Sequence, residues 1–260
     1  MKKIAFCFLI YDIINNEELW NIFFKNININ KFNIYIHYKF NKPLKYFEKY
    51  KLTNCIETKY ADISLVKAQN ILLNEALKDE KNEHFIFISN SCVPFKRFEY
   101  IYNILDEKVS YFNIASQNSC FPNCNSLLEV INKNNIQKAS QWCILNKKHS
   151  NVMINDTYTK LYTNIYAPDE ICYITNIFIH NLQNEIITTP NLTNGSTTFT
   201  NWIGMNYKYP SVKGLKIYNS ISNSELLYLL NSKCLFGRKF NRNCIYSFIN
   251  KPYITFISSK

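Results

Sequence analysis

ADISLVKAQNILLNEALKDEKNEHFIFISNSCVPFKRFEYIYNIL, residues 61–105, reads in succession as a helix, an apolar strand, a polar turn and a second helix. Leu65, Ala68, Leu72 and Ala76 recur at helical spacing, which predicts a helix over 64–77 with Ser64 as its N-cap. Phe85-Ile86-Phe87-Ile88 is a short continuous apolar run, the pattern of a strand buried on both faces. It opens into Ser89-Asn90-Ser91, and small polar residues at the carboxyl end of a buried strand are where α/β proteins build ligand crevices. Ser89 and Asn90 are therefore candidate pocket residues. A helix over 98–105 follows.

The same alternation extends in both directions. Ile4–Ile10 predicts a buried strand, Glu17–Lys25 a helix carrying Leu19, Trp20 and Phe23, and Asn33–Tyr38 a second strand. Further strands are expected at 110–115 and 141–145, a helix from near Asp169, and another over 223–230. Strands alternating with helices predict an α/β fold with a mainly parallel, Rossmann-like central sheet flanked by helices. With 260 residues, only four Gly and seven Pro, and no linker-like run, the chain is expected to form one domain over 1–260. Neither GxGxxG nor GxxxxGK[ST] occurs, which argues against classical dinucleotide and P-loop sites.

The net charge of +11 comes from scattered lysines with no run of five basic residues. That pattern favours a solvated surface first and nucleotide phosphates second, with nucleic acid a distant third. Nine cysteines form no CxxC pair; Cys120 and Cys124 in CFPNC are the closest two and could form a bridge or half a metal site, but without a matching second pair the cysteines read first as small hydrophobes in a reducing compartment. The apolar run after Lys2-Lys3 is too short to span a bilayer and has no small-residue cleavage site, so neither a signal peptide nor a membrane anchor is expected. This implies a cytoplasmic location, or association with a host membrane without an anchor of its own. Asn191 and Asn194 begin glycosylation sequons, which carry weight only in a secreted chain.

Few residues can carry chemistry. In YAPDE, 166–170, a proline followed by Asp169 and Glu170 is by spacing alone a helix-start signal. In CLFGRKF, 234–240, Arg238 and Lys239 are adjacent cations; in an extended segment their side chains would face opposite sides. Trp142 in KASQWCILNKKHS, 138–150, reads as core on composition. There is no Asp-x-Asp and no His/Asp/Glu cluster suited to Mg²⁺ or Mn²⁺, so no metal is expected.

The segments 61–105, 138–149 and 234–240, in that order, resemble the core-2/I-branching β-1,6-N-acetylglucosaminyltransferases (glycosyltransferase family 14) and their plant-type relatives. The resemblance implies a GT-A-like fold, with a nucleotide-binding half over about 1–115 and an acceptor-binding, catalytic half over about 116–260. It also implies an inverting, metal-independent transfer of a sugar, N-acetylglucosamine first, from a UDP-sugar to a hydroxyl of a glycan or glycoprotein, with no cofactor and no nucleic-acid partner. The PDE element places the catalytic base at Glu170, with Asp169 as an orienting neighbour. The F-A-x-K-F-like element places the leaving diphosphate on Lys239, and a cation at matching upstream spacing falls on Lys216 in GLKIYN, where the family usually has Arg. Trp142 and Trp202 fall near the acceptor. His37 falls at a strand end where the family often has a nearby Asp, a position held here by Lys39. UDP-xylose is an alternative donor, because peptide xylosyltransferases share the family. The Lys39 departure motivates a second alternative, a non-catalytic carbohydrate- or nucleotide-binding protein that retains the fold.

Overall fold

A computed structural model describes residues 2–115, 124–188, 197–248 and 252–258. Cys120 and both sequons lie outside them, and with Cys120 its pairing with Cys124. Eight cysteines are described; all are free and all but Cys55 are buried.

The first strand, β1 (Lys3–Ile10), is buried from Ile4 to Ile10 and pairs in parallel with both β2 (Phe32–Tyr38) and β3 (Asn82–Ser89). Its side chains alternate between the two faces of the sheet. Phe6 and Phe8 pack with Trp20 and Phe23 of α1 (Glu17–Phe24) and with Phe98 of the later helix. Ala5, Cys7 and Leu9 pack with Val66, Leu72 and Leu73 of α2 (Ser64–Ala76). One apolar strand thus builds two cores, and the molecule is layered helix on sheet on helix.

After β3 come β4 (Val93–Pro94), α3 (Phe98–Ile104), β5 (Ser110–Phe112), β6 (Ile144–Asn146), α4 (Lys147–Asn155), α5 (Cys172–Ile179) and β7 (Ile186–Thr188). β8 (Thr198–Thr200), α6 (Asn223–Asn231), β9 (Phe236–Arg238), α7 (Ile245–Phe248) and α8 (Pro252–Ser258) complete the chain. The main sheet has the order β2-β1-β3-β6-β5-β7; β6 is antiparallel to both of its neighbours, and the other five strands share one direction. The second sheet has the order β4-β9-β8. The expected α/β class with a mainly parallel sheet is what the chain forms. No helix among the described residues is long and apolar enough to cross a membrane.

Local chemistry moves several boundaries. Ser64 begins α2 but does not cap it: Asp62 Oδ1 accepts the Ser64 N–H at 2.9 Å, and Ser64 Oγ accepts the Lys59 N–H at 2.9 Å. β3 starts at Asn82 rather than Phe85 because its polar residues are buried with partners. Asn82 Nδ2 donates to the Ala76 carbonyl at 2.7 Å, and His84 Nε2 meets the Asp106 carbonyl at 3.0 Å. The strand expected at 141–145 is β6, and it runs straight into α4, which Asn146 caps by accepting the His149 N–H at 2.8 Å. Pro168–Glu170 forms one tight 3₁₀ turn, and the helix expected there begins at Cys172.

His37 is fully buried in β2, where its Nε2 accepts the Ile56 N–H at 3.0 Å, so the ring is neutral with its proton on Nδ1. Burial pushes its pKa down to about 4 from 6.5, and burial also lowers those of His84 and His149. The unfolded chain therefore binds more protons between these values, so this contribution to stability is complete above pH 6.5 and is lost as pH falls towards 4. Burial and the neighbouring Glu170 raise the Asp169 pKa, which has the opposite sign over the same range. Comparing His37→Gln with the wild type isolates the histidine. The wild type should lose roughly 2 kcal/mol more than the variant between pH 7 and pH 5, measured by urea denaturation. Parallel pH profiles would exclude His37 as an acid-sensitive site.

Candidate active site

The carboxyl ends of β1, β2 and β3 open into a cavity of about 1090 Å³. Ile10 and Tyr11, Lys39, and Ser89 and Asn90 line it from those three ends. This is the place where parallel α/β sheets bind ligands. Ser89 Oγ lies 3.1 Å from Ser91 Oγ and 3.0 Å from Cys92 Sγ, and Asn90 Nδ2 donates to Asn15 Oδ1 at 3.3 Å. Both residues line the cavity and also fasten its floor.

The opposite wall carries the carboxylates. Ala167, in the left-handed region at φ 52°, turns the chain into the 3₁₀ turn and places Asp169 and Glu170 on the cavity. The Ala139 N–H donates to the Glu170 carbonyl at 2.8 Å, which ties this turn to the 138–142 segment. Lys138 Nζ lies 3.2 Å from Glu170 Oε2, and the Glu170 side chain is 36% exposed. Asp169 is deeper, and its Oδ1 is buried without a hydrogen-bond partner. Burial, then the charge of Glu170, pushes its pKa up to about 7 against the pull of Arg238 and Lys138. Asp169 thus lines the cavity with a pKa near neutrality.

β9 supplies the cations. A side chain at Gly237 would place Cβ 2.0 Å from Phe95 Cζ, so only glycine lets the strand cross that buried ring. Arg238 and Lys239 follow, and both line the cavity. This corrects the expectation that they diverge: β9 ends at Arg238, so strand alternation does not govern Lys239. The Arg238 guanidinium lies 4.8 Å from the Trp142 ring centroid, and its Nε is buried without a hydrogen-bond partner. Burial, then the charge of Arg238, lowers the Lys239 pKa.

Trp142 and Trp202 also line the cavity, but in different states. Trp142 is buried beneath Arg238, so its ring is already covered by a cation, whereas Trp202 is 48% exposed. Two candidates are not brought to the cavity. Lys216 Nζ lies 3.2 Å from both carboxylate oxygens of Glu225 and 4.5 Å from the Tyr218 ring centroid. His37 is buried within β2, its Nε2 accepting the Ile56 N–H. Sequence reasoning missed Lys39, Lys59, Lys138 and Arg238 as lining cations. Together with Lys239 they face two carboxylates, an excess of positive charge suited to an anionic ligand. For Lys138, its place as the first residue of the quoted KASQWCILNKKHS segment was the one available signal. Among the described residues, no group of three or more His, Cys, Asp or Glu could hold a metal ion.

Comparison with known proteins places the chain in a family. The family model Branch, described as Core-2/I-Branching enzyme, matches residues 4–226; the match includes Glu170 and ends before Arg238 and Lys239. The glycosyltransferase BC10 of Oryza sativa subsp. japonica is 28% identical over 162 residues, or 59% of this chain and 41% of the rice protein. The chain thus spans well under half of that relative's length. Among solved structures, the bifunctional glycosyltransferase WbbM in its apo form overlaps 99% of this chain and 51% of its own, at 9% identity and a TM-score of 0.48. A glycosyltransferase involved in glycosylation of the major capsid of PBCV-1 overlaps 90% of this chain and 92% of its own, at 10% identity and a TM-score of 0.46. With one family model matching most of its length, the chain belongs to the core-2/I-branching enzyme family, a family of glycosyltransferases.

Proposed function

We propose that this protein transfers a sugar, N-acetylglucosamine first, from a UDP-sugar to a hydroxyl of a glycan or glycoprotein, with inversion and without a metal ion. The observation that carries this reading is one cavity that holds a carboxylate pair, Asp169–Glu170, and a cation pair, Arg238–Lys239, at the carboxyl ends of parallel strands. Glu170 takes the proton of the acceptor hydroxyl as its oxygen attacks the anomeric carbon. The bond from that carbon to the diphosphate breaks on the opposite face, and its electron pair leaves with UDP. Lys239 and Arg238 stabilise the negative charge that grows on the diphosphate, the task a metal performs in Asp-x-Asp enzymes. Arg238 takes the place expected of Lys216, which Glu225 holds elsewhere. UDP-xylose remains the second donor to test, because nothing in the cavity lining selects between the two sugars.

One observation favours the second reading, a carbohydrate- or nucleotide-binding protein without turnover: Lys138 already occupies one oxygen of Glu170. Slow hydrolysis of the UDP-sugar in the absence of acceptor separates the two, since only an enzyme cleaves its donor. The donor itself is found by screening UDP-sugars for a rise in melting temperature, because a ligand that binds only the folded state stabilises it. Donor cleavage should persist unchanged in EDTA. Chelator-sensitive cleavage restored by Mn²⁺ would show that Arg238 and Lys239 do not replace a metal.

A further inference from the structure

Beside the carboxylate pair stand two tyrosines that no core claims. Tyr60 is 90% exposed and Tyr166 is 56% exposed. Their ring centroids lie 6.5 Å apart at 73°, an edge-to-face pair. Each immediately precedes an alanine in the left-handed region, Ala61 at φ 54° and Ala167 at φ 52°. That conformation costs a non-glycine residue on the order of 1 kcal/mol, so the surrounding structure must hold it. What holds it here is the junction itself: the Ala167 N–H donates to the Ala61 carbonyl at 3.0 Å, joining the two loops back to back. The Glu170 N–H in turn donates to the Ala167 carbonyl at 3.1 Å. The tyrosine pair is therefore locked to the turn that carries Glu170, and Tyr60 lines the same cavity as Glu170 and the exposed Trp202.

We infer that Tyr60 and Tyr166 form a platform for a pyranose ring of the acceptor, setting which hydroxyl reaches Glu170. This rests on the transferase reading above. A pyranose presents a patch of C–H bonds on one face and hydroxyls at its edge. An exposed tyrosine offers the matching surface, an apolar ring with a polar tip. The occupant is the acceptor and not the donor, because the platform is tied to the proton-accepting wall, whereas the cations that suit a diphosphate come from the end of β9 and the residue after it. A protein docking on the same rings would have no use for the cavity that Tyr60 lines.

The test is saturation-transfer NMR with methyl β-D-galactopyranoside and methyl β-D-glucopyranoside, in the presence of UDP, on the wild type, Tyr60→Ala, Tyr166→Ala and Tyr60→Phe. The wild type should transfer saturation to the C–H face of at least one glycoside. In each alanine variant the apparent Kd for that glycoside should rise roughly tenfold, the scale of one lost aromatic contact, while Tyr60→Phe keeps the ring and the affinity. The melting-temperature rise with UDP shows that each variant is folded. Unchanged glycoside binding in both alanine variants, or no transfer to either glycoside in the wild type, would overturn the platform while leaving the transferase reading in place. Glycoside binding in a wild type that binds neither UDP nor any UDP-sugar would instead remove the transferase reading on which the platform's role depends.

Discussion

Glu170→Gln should lower kcat by roughly a hundredfold or more while leaving UDP-sugar affinity nearly unchanged. The amide has the shape of the carboxylate, and its carbonyl can still accept from Lys138, which lies 3.2 Å from Glu170 Oε2 in the native protein. What the amide lacks is the capacity to take a proton. The neighbouring Asp169 makes the experiment sharper, because its pKa, pushed up to about 7 by burial and by Glu170, also suits a general base at neutral pH. Asp169→Asn is the companion variant. If Glu170 is the base, Asp169→Asn costs less than Glu170→Gln and mainly shifts the pH–rate profile. In Glu170→Gln the charge of Glu170 no longer raises the Asp169 pKa, while burial, the larger cause, remains, so that pKa falls only in part and Asp169 is the first candidate for any residual activity. A larger loss in Asp169→Asn than in Glu170→Gln would assign the base to Asp169. Steady-state rates from pH 5 to 9, with donor affinity measured by calorimetry, decide between them.

Lys239→Ala should weaken binding of both UDP and the UDP-sugar, and should cost kcat still more, on the order of a hundredfold, because charge on the diphosphate increases as the glycosidic bond breaks. Arg238→Ala should act in the same direction, since Arg238 lines the same cavity beside Trp142. Arg238→Lys tests the geometry: a point charge replaces a planar fork that stacks, so affinity recovers only in part. Lys216→Ala should behave differently. It removes the cation from Glu225, a buried carboxylate that also accepts from the Tyr218 hydroxyl at 2.8 Å. An unpaired buried charge destabilises the fold, so the melting temperature falls while UDP affinity in the folded protein holds. Calorimetry with UDP and single-turnover rates on the three alanine variants read this directly. A silent Lys239→Ala beside an Arg238→Ala that abolishes UDP binding would move the diphosphate onto Arg238. If neither cation matters, the diphosphate lies elsewhere and the mechanism is wrong; if Lys216→Ala alone abolishes binding, the upstream cation is the working one.

The long elements were legible before the structure. The apolar run of β1 and the periodic faces of α1, α2, α3 and α6 match the expected spans to within a few residues, because burial of a whole strand or helix face imposes its period on the sequence. The β4 strand has two residues and β8 and β9 three each, too few to show any period, so the second sheet could not be read. The family was also legible, through the order of the segments 61–105, 138–149 and 234–240, and the chain belongs to it.

Which side chains meet was decided by tertiary structure alone. Lys216 and His37 have suitable chemistry at suitable spacing, yet Glu225 and the Ile56 N–H hold them away from the cavity. Arg238 looked like the outward neighbour of Lys239, and the end of β9 brings both inward. Lys138 is far from Glu170 in sequence, and the backbone bond between Ala139 and Glu170 makes them partners. Sequence pattern determines which surfaces must be buried, because burial acts on every residue of an element. A side chain at the end of a strand or on a turn is aimed by one or two contacts from distant segments, and those contacts exist only once the chain has folded.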